Sequence, residues 1–187
     1  TVLSLVLGVP AAYAMSRFTM HRSALVVLMA RVIPGVSLLV PWYYVFSNLK
    51  MVGGFEVLIL SHMFVSLPLI VYIMMSYFDS LPLELEESAQ VDGLTPIGAF
   101  RRITLPLAVP GLISAGIFSF TLSWNEFIYA LAFIQSSENK TVPVAILTEL
   151  VTGDVYQWGA LMAGSLLGSL PVAIFYSMFV DYYVSSL

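Results

Sequence analysis

Cysteine is absent from this chain of 187 residues. That removes disulfides, thiolate metal ligands and thiol nucleophiles together, and leaves the compartment undecided. Charge is also scarce: Asp, Glu, Lys and Arg supply 10% of the residues, where soluble domains carry about 25%. So few ionic groups cannot cover a fold that is 59% hydrophobic with a mean hydropathy of +0.94. A bilayer is the solvent that suits this composition. The seven Lys and Arg are scattered and the net charge is −4, so no basic patch is available for nucleic acid. The Gly-x4-Gly-Lys-Ser/Thr phosphate loop is missing. His62 has no partner at metal-ligand spacing, so no metal site is expected and a satisfied buried histidine is the better reading. No nucleophile, base and orienter fall together, which places an enzyme last among the readings.

What is present is a set of apolar stretches near 1–16, 24–47, 55–78, 108–134 and 156–181. A span needs ~20 apolar residues, and membrane strands would alternate over ~10. The expected fold is therefore all-α, a polytopic transmembrane helical bundle with five spans, forming one domain over 1–187. The first stretch is short, starts without Met and lacks a basic leader, so it reads as a truncated span and not a signal peptide. The end, Val184-Ser185-Ser186-Leu187, also reads as cut. Pro34-Gly35, Pro41, Pro68 and Pro171 fall within spans and predict kinks. Ala160, Ala163, Gly164 and Gly168 predict a close-packing face on the last span.

Basic residues orient the spans. Arg17 and Arg22 lie in one loop and Arg101 and Arg102 in another, both on the same side once spans alternate. Lys50 and Lys140 fall opposite. Residues 17–23, 79–107 and the C-terminus are therefore expected in the cytoplasm. Segment 79–107 reads as two short helices at a corner. Pro82 suits a first turn, with Asp79 or Ser80 as its cap. Glu84, Glu86 and Glu87 favour a helix N-terminus, and Asp92-Gly93 stops that helix. Thr95-Pro96 restarts one, and Ile97, Phe100 and Ile103 form an apolar edge beside Arg101 and Arg102. On pattern alone, an interfacial hairpin that merely joins two spans is an equal reading.

This segment resembles the EAA motif of ATP-binding-cassette (ABC) importer permeases: Glu-Ala-Ala, three residues, Gly, nine residues, Ile-x-Leu-Pro. Here the motif is Glu87-Ser88-Ala89, Gly93, Ile103 and Leu105-Pro106, with Ser88 replacing the first Ala. The resemblance implies a type I permease fold with one N-terminal span and a short C-terminal tail missing. It implies a coupling element at 79–107 that docks on an ATPase through Glu86, Glu87, Ser88, Ala89, Asp92, Gly93, Phe100, Ile103, Leu105 and Pro106. It implies no cofactor in this chain, since ATP and Mg belong to the partner ATPase. Its other implied partners are a second permease in a heterodimer, a second ATP-binding-cassette subunit, an extracytoplasmic sugar-binding protein and the lipid bilayer. The location implied is the bacterial inner membrane.

Ser123-Trp124-Asn125-Glu126-Phe127 resembles a segment of the carbohydrate-uptake branch, as do Asn139–Val144, Trp158-Gly159 and Leu170-Pro171. Permeases for maltodextrins, trehalose and glycerol phosphate share these strings. No strongly basic cavity is visible, which favours a neutral disaccharide or oligosaccharide of the trehalose or maltose type. Carboxylates and amides bind sugar hydroxyls, and aromatic faces stack on sugars. Trp124, Asn125, Glu126, Tyr129, Tyr43 and Tyr44 are therefore the substrate-path candidates. Equally, Glu126 reads as a structural cap or a partner-facing group, and Trp42, Tyr43 and Tyr44 as an interfacial belt. Arg31 reads as snorkelling to the cytoplasmic face. Loop 135–155, with Glu138, Lys140, Glu149 and Asp154 and a short helix over 143–151, faces the binding protein by resemblance, or is a plain connection. A secondary transporter, with Glu126 as its ion site, and a non-transporting scaffold are the alternatives of other classes.

Overall fold

A computed structural model describes residues 1–152 and 155–185. Asp154 and Ser186-Leu187 lie outside the described residues. The chain runs as α1 (Val2–Arg17), α2 (His21–Met29), α3 (Gly35–Asn48), α4 (Phe55–Ser80) and α5 (Glu84–Val91). Then follow α6 (Pro96–Ala99), a π-helical turn over Phe100–Thr104, α7 (Leu105–Leu107), α8 (Val109–Trp124) and α9 (Ile128–Phe133). Last come α10 (Val142–Leu150), β1 (Val151–Thr152), β2 (Val155–Tyr156) and α11 (Trp158–Ser185). The architecture is a helical bundle. Its one departure from all-α among the described residues is the antiparallel β1–β2 ribbon, in which Val151 pairs with Tyr156.

Helix α4 and the Trp158–Val180 part of α11 are each long and apolar enough to cross a membrane. Helix α1 is apolar but shorter, and the other two expected spans are broken. The 24–47 stretch divides at 30–34, because Pro34 lacks an amide hydrogen and holds its residue in an extended conformation, φ −57° and ψ 126°. The 108–134 stretch divides after Trp124. By contrast Pro41, Pro68 and Pro171 sit inside continuous helices.

The core forms where α1 crosses α4. Gly8 permits this approach: a Cβ there would fall 2.8 Å from Ile70. Ser4 and Ser66 hydroxyls meet at 2.8 Å in the same seam, which satisfies both buried groups. Val9, Ala12, Ile70, Met74, Phe78 and Ala115 fill the space around it. A second centre lies toward the opposite end, where Val57, Tyr129 and Phe133 gather Trp42 and Phe46. There Gly53 N–H donates to the Phe133 carbonyl at 2.8 Å, tying the 49–54 turn to the end of α9. Of the expected small-residue face of α11, Gly164 and Gly168 pack on α10, with Cβ positions within 3.2–3.3 Å of Ile146, Leu150 and Val142, while Ala163 is exposed.

Candidate functional site

The hairpin 84–107 is assembled from three local devices. Glu84, Glu86 and Glu87 occupy the first turn of α5, where the helix dipole favours carboxylates. Gly93 turns the corner at φ +95°, a region closed to most side chains. Thr95 then caps the restart, its Oγ1 accepting from Gly98 N–H at 3.1 Å, with Pro96 in the first turn. The exit is sharp: the 96–107 and 109–124 segments meet at 73°. The start differs from the sequence expectation. Helix α5 begins at Glu84, and neither Asp79 nor Ser80 caps it. Asp79 instead accepts from Ser16 at 2.5 Å, and Ser80 donates to the Tyr77 carbonyl at 2.6 Å.

The expected docking residues divide between two faces. Glu87, Ser88, Asp92, Gly93 and Pro106 are exposed, and Ser88 Oγ donates to its own helix at Glu84 O, 2.7 Å away. Of these Gly93 borders an open groove at the corner, with Leu94, Thr95, Ile97, Gly98, Arg101 and Arg102. Glu86, Ala89, Phe100 and Leu105 turn inward. Glu86 is 3% exposed. Its Oε1 accepts from Arg17 Nε at 2.8 Å and its Oε2 from Tyr13 at 2.6 Å. Burial pushes this carboxyl up, and the hydrogen bonds from Arg17 and Tyr13 outweigh burial and hold it below its usual range. Phe100 stacks on Tyr13 with centroids 4.3 Å apart. The expected edge of Ile97, Phe100 and Ile103 is thus split: Ile97 is 72% exposed, while Phe100, where the π-helical turn begins, packs partly buried against the core. Glu86, Ala89, Phe100 and Leu105 thus lie on the inner side of the hairpin, away from the exposed Glu87, Ser88, Asp92, Gly93 and Pro106. Tyr13 and Arg17 were not among the sequence candidates. Their i, i+4 spacing puts them on one face of α1, but nothing local points to a partner at residue 86.

The aromatic candidates at the other end are largely engaged. Glu126 sits in the break between α8 and α9 and receives the Tyr129 and Ala130 amides at 2.9 and 3.0 Å. Its Oε2 lies 3.4 Å from His62 Nε2, and His62 Nδ1 meets Ser123 Oγ at 2.7 Å. Tyr129 is buried, stacks on Trp42 and Phe133, and donates to Gly35 O at 2.7 Å across the α2–α3 break. Trp124 Nε1 donates to Gly168 O at 2.9 Å, fastening α8 to α11. Asn125 folds back on Thr121 O at 3.0 Å. Tyr43 stacks on Phe133 and accepts from Gln135 at 3.3 Å, and Tyr44 alone stands 71% exposed. Glu126, Tyr129, Trp42 and Tyr43 therefore form one connected patch, with Trp124 and Tyr44 apart from it. Lys140 binds Thr148 and Glu149, bracing the outer loop against α10.

Residues 4–186 match the model of the family described as "Binding-protein-dependent transport system inner membrane component". Curated relatives are similar along nearly the whole chain. The sulfoquinovosyl glycerol transport system permease protein SmoH of Agrobacterium fabrum is 35% identical, over 100% of this chain and 66% of its own length. The inner membrane ABC transporter permease protein YcjP of Escherichia coli is 37% identical, over 95% of this chain and 64% of its own. The trehalose transport system permease protein SugB of Mycobacterium tuberculosis is 32% identical, over 96% and 67%. The chain thus spans about two thirds of the length of these relatives, and slightly less for the first two. A crystal structure of a bacterial ABC transporter involved in import of the acidic polysaccharide alginate superposes with a TM-score of 0.80 at 20% identity, covering 98% of this chain and 70% of that one. At that identity the match speaks for the fold. The family match over residues 4–186 and the relatives above 30% identity place the chain among the binding-protein-dependent transport system inner membrane components.

Proposed function

We propose that this chain is one transmembrane permease of an ATP-driven ABC importer of sugars in the bacterial inner membrane, itself non-catalytic. It works with a second permease, two ATP-hydrolysing subunits and an extracytoplasmic binding protein. The observation that carries this reading is the two-faced hairpin. Its outer face offers Glu87, Ile97, Arg101 and Arg102 to a partner, and its inner face is fastened to the bundle. A rigid projection of this kind converts closure of an ATPase pair into movement of the spans, which is how alternating access is driven.

Relatives support a sugar as the substrate class. Their names specify sulfoquinovosyl glycerol, trehalose, trehalose/maltose and diacetylchitobiose. Among these we favour a neutral disaccharide of the trehalose or maltose type. Lys and Arg are few. His62 pairs with Glu126 and Arg31 shares a pocket with Tyr129, and these two are scattered singly instead of clustered as an anionic sugar would need. The whole domain 1–187 acts as one transmembrane unit with 79–107 as its coupling element. The substrate path runs past the break at Asn125–Phe127; Tyr44, apart from that break, is the most accessible of the aromatic candidates.

Glu87→Lys tests the coupling face. It reverses an exposed charge outside the core, so folding and expression stay near wild type, while uptake falls at least ten-fold and the ATPase subunit is captured more weakly on affinity purification. Normal uptake at normal expression would overturn the assignment. A thermal-shift screen of the cognate binding protein against a sugar panel tests the substrate. Stabilisation by trehalose or maltose supports the reading, and stabilisation by a phosphorylated or acidic sugar alone contradicts it.

A further inference from the structure

The outer face of the hairpin can receive a push, but the push reaches the spans only through whatever fastens the inner face. Two spans, α4 and α8, continue covalently from the hairpin. Helix α1 does not: Arg17 and Glu86 are 69 residues apart. Yet α1 makes the most specific attachment. Arg17 reaches three elements, being on α1, donating to Glu86 of α5, and donating through Nη1 to Phe78 O near the end of α4 at 2.9 Å. Tyr13 adds a second directional bond to the other Glu86 oxygen and packs its ring on Phe78 and Phe100. Ser16 ties the same end of α1 to Asp79.

We infer that the Tyr13–Arg17–Glu86 cluster is a rigid joint that makes α1 move with the coupling hairpin. Glu86 is thereby a positioning residue that acts through α1 and does not touch the ATPase. Along its length α1 is already seated on α4 by the close approach at Gly8 and the Ser4–Ser66 bond; the cluster is what ties it to α5 as well. The Glu86 carboxylate is held on Oε1 by the guanidinium and on Oε2 by the Tyr13 hydroxyl, two charge-assisted bonds that fix its direction. The side chains are 13% and 4% exposed for Arg17 and Glu86, so water does not compete for these bonds. The apolar remainder of the contact, Phe100 against Tyr13 and Phe78, sits beside the joint and keeps it dry.

The inference rests on the permease reading above, and the experiment separates the two. Because the chain has no cysteine, spin labels can be placed at Leu3→Cys on α1 and Leu85→Cys on the hairpin, both exposed sites. The assembled transporter is measured in nanodiscs, without nucleotide and trapped with ATP and vanadate. The joint is removed by the double change Arg17→Met/Glu86→Met, which replaces a buried ion pair with apolar side chains of similar length and so preserves folding. In the parent, the distance distribution stays narrow and is the same in both states. In the double variant it broadens at least two-fold, or the two states separate, while the melting temperature is unchanged or higher. The single change Tyr13→Phe, which removes one bond and keeps the ring, gives an intermediate width. A double variant as narrow and state-independent as the parent overturns the joint. Failure of the parent to capture an ATP-binding subunit instead overturns the permease reading, and the nucleotide-free widths still decide whether the joint exists.

Discussion

At the scale of single residues, the buried Glu86 and the partly buried Glu126 do different work. Glu126 holds open a gap in the membrane part of the fold by accepting two amides that no helix satisfies. Each such cap is worth about 1 kcal/mol, and an amide left bare in an apolar region costs about 1–3 kcal/mol. Glu126→Ala should therefore destabilise the purified protein by about 2 kcal/mol, and Glu126→Gln, which keeps an acceptor, by less. Melting in detergent reads the difference, and equal melting temperatures for Ala and Gln would refute the capping role. Glu86 predicts a pH dependence. Its folded-state pKa lies below the ordinary 4.5, so the carboxylate contributes stability fully above pH 4.5. That contribution is lost as pH falls through the lower folded value. The melting-temperature gap between the parent and Glu86→Gln should be widest at neutral pH and shrink below pH 4.5, and a constant gap would show that ionisation is irrelevant.

At the scale of elements, the hairpin shows which features are local and which are not. Gly93 and Thr95 act on their own neighbours, so their roles are visible as a stop and a restart in the string Asp92-Gly93-Leu94-Thr95-Pro96. Gly93→Ala places a Cβ at φ +95° and should cost about 1–2 kcal/mol, and Thr95→Ala about 1 kcal/mol. Hydrogen exchange over 84–107 should rise in both variants while exchange in α4 stays put, and unchanged hairpin protection in Gly93→Ala would contradict the turn assignment. The expected apolar edge failed for a non-local reason. A spacing of three residues assumes regular helix, and the π-helical turn at Phe100–Thr104 interrupts it beyond Phe100, whose ring packs on Tyr13 of α1. Glu86 was similarly illegible as an inward residue, because beside Glu84 and Glu87 it looks like one of three solvated charges. Only the fold brings Arg17 to it. Glu126 was legible as a costly intramembrane charge, and its alternative role as a cap was in view. What decides between roles is the placement of His62 and the broken helix, which composition does not encode.

At the scale of the whole molecule, apolar surface is left uncovered in quantity. Helix α3 has no buried residue, and Leu166, Leu167, Ile174 and Met178 of α11 are each more than half exposed. Such area is untenable in water and ordinary against lipid tails or a second permease. The ends of the bundle carry the polar segments, and the structure groups them as the basic residues suggest. The Arg17–Glu86 bond brings the 17–23 turn and the hairpin to one end, and the Gly53–Phe133 bond gathers the 49–54 turn and the end of α9 at the other. If the positive-inside bias sets orientation, the hairpin is cytoplasmic and the Glu138 turn external. The cysteine-free background makes this measurable in cells with one thiol at a time. Arg102→Cys should react with a membrane-impermeant maleimide only after permeabilisation, with at least a ten-fold gain. Glu138→Cys should react fully in intact spheroplasts, and Leu167→Cys should react in neither condition with the impermeant reagent, since lipid or a partner covers it. The reverse pattern at residues 102 and 138 would invert the topology and remove the hairpin from reach of any cytoplasmic ATPase. Free aqueous labelling at 167 would mean that α11 faces water and that the five apolar stretches do not form a membrane bundle.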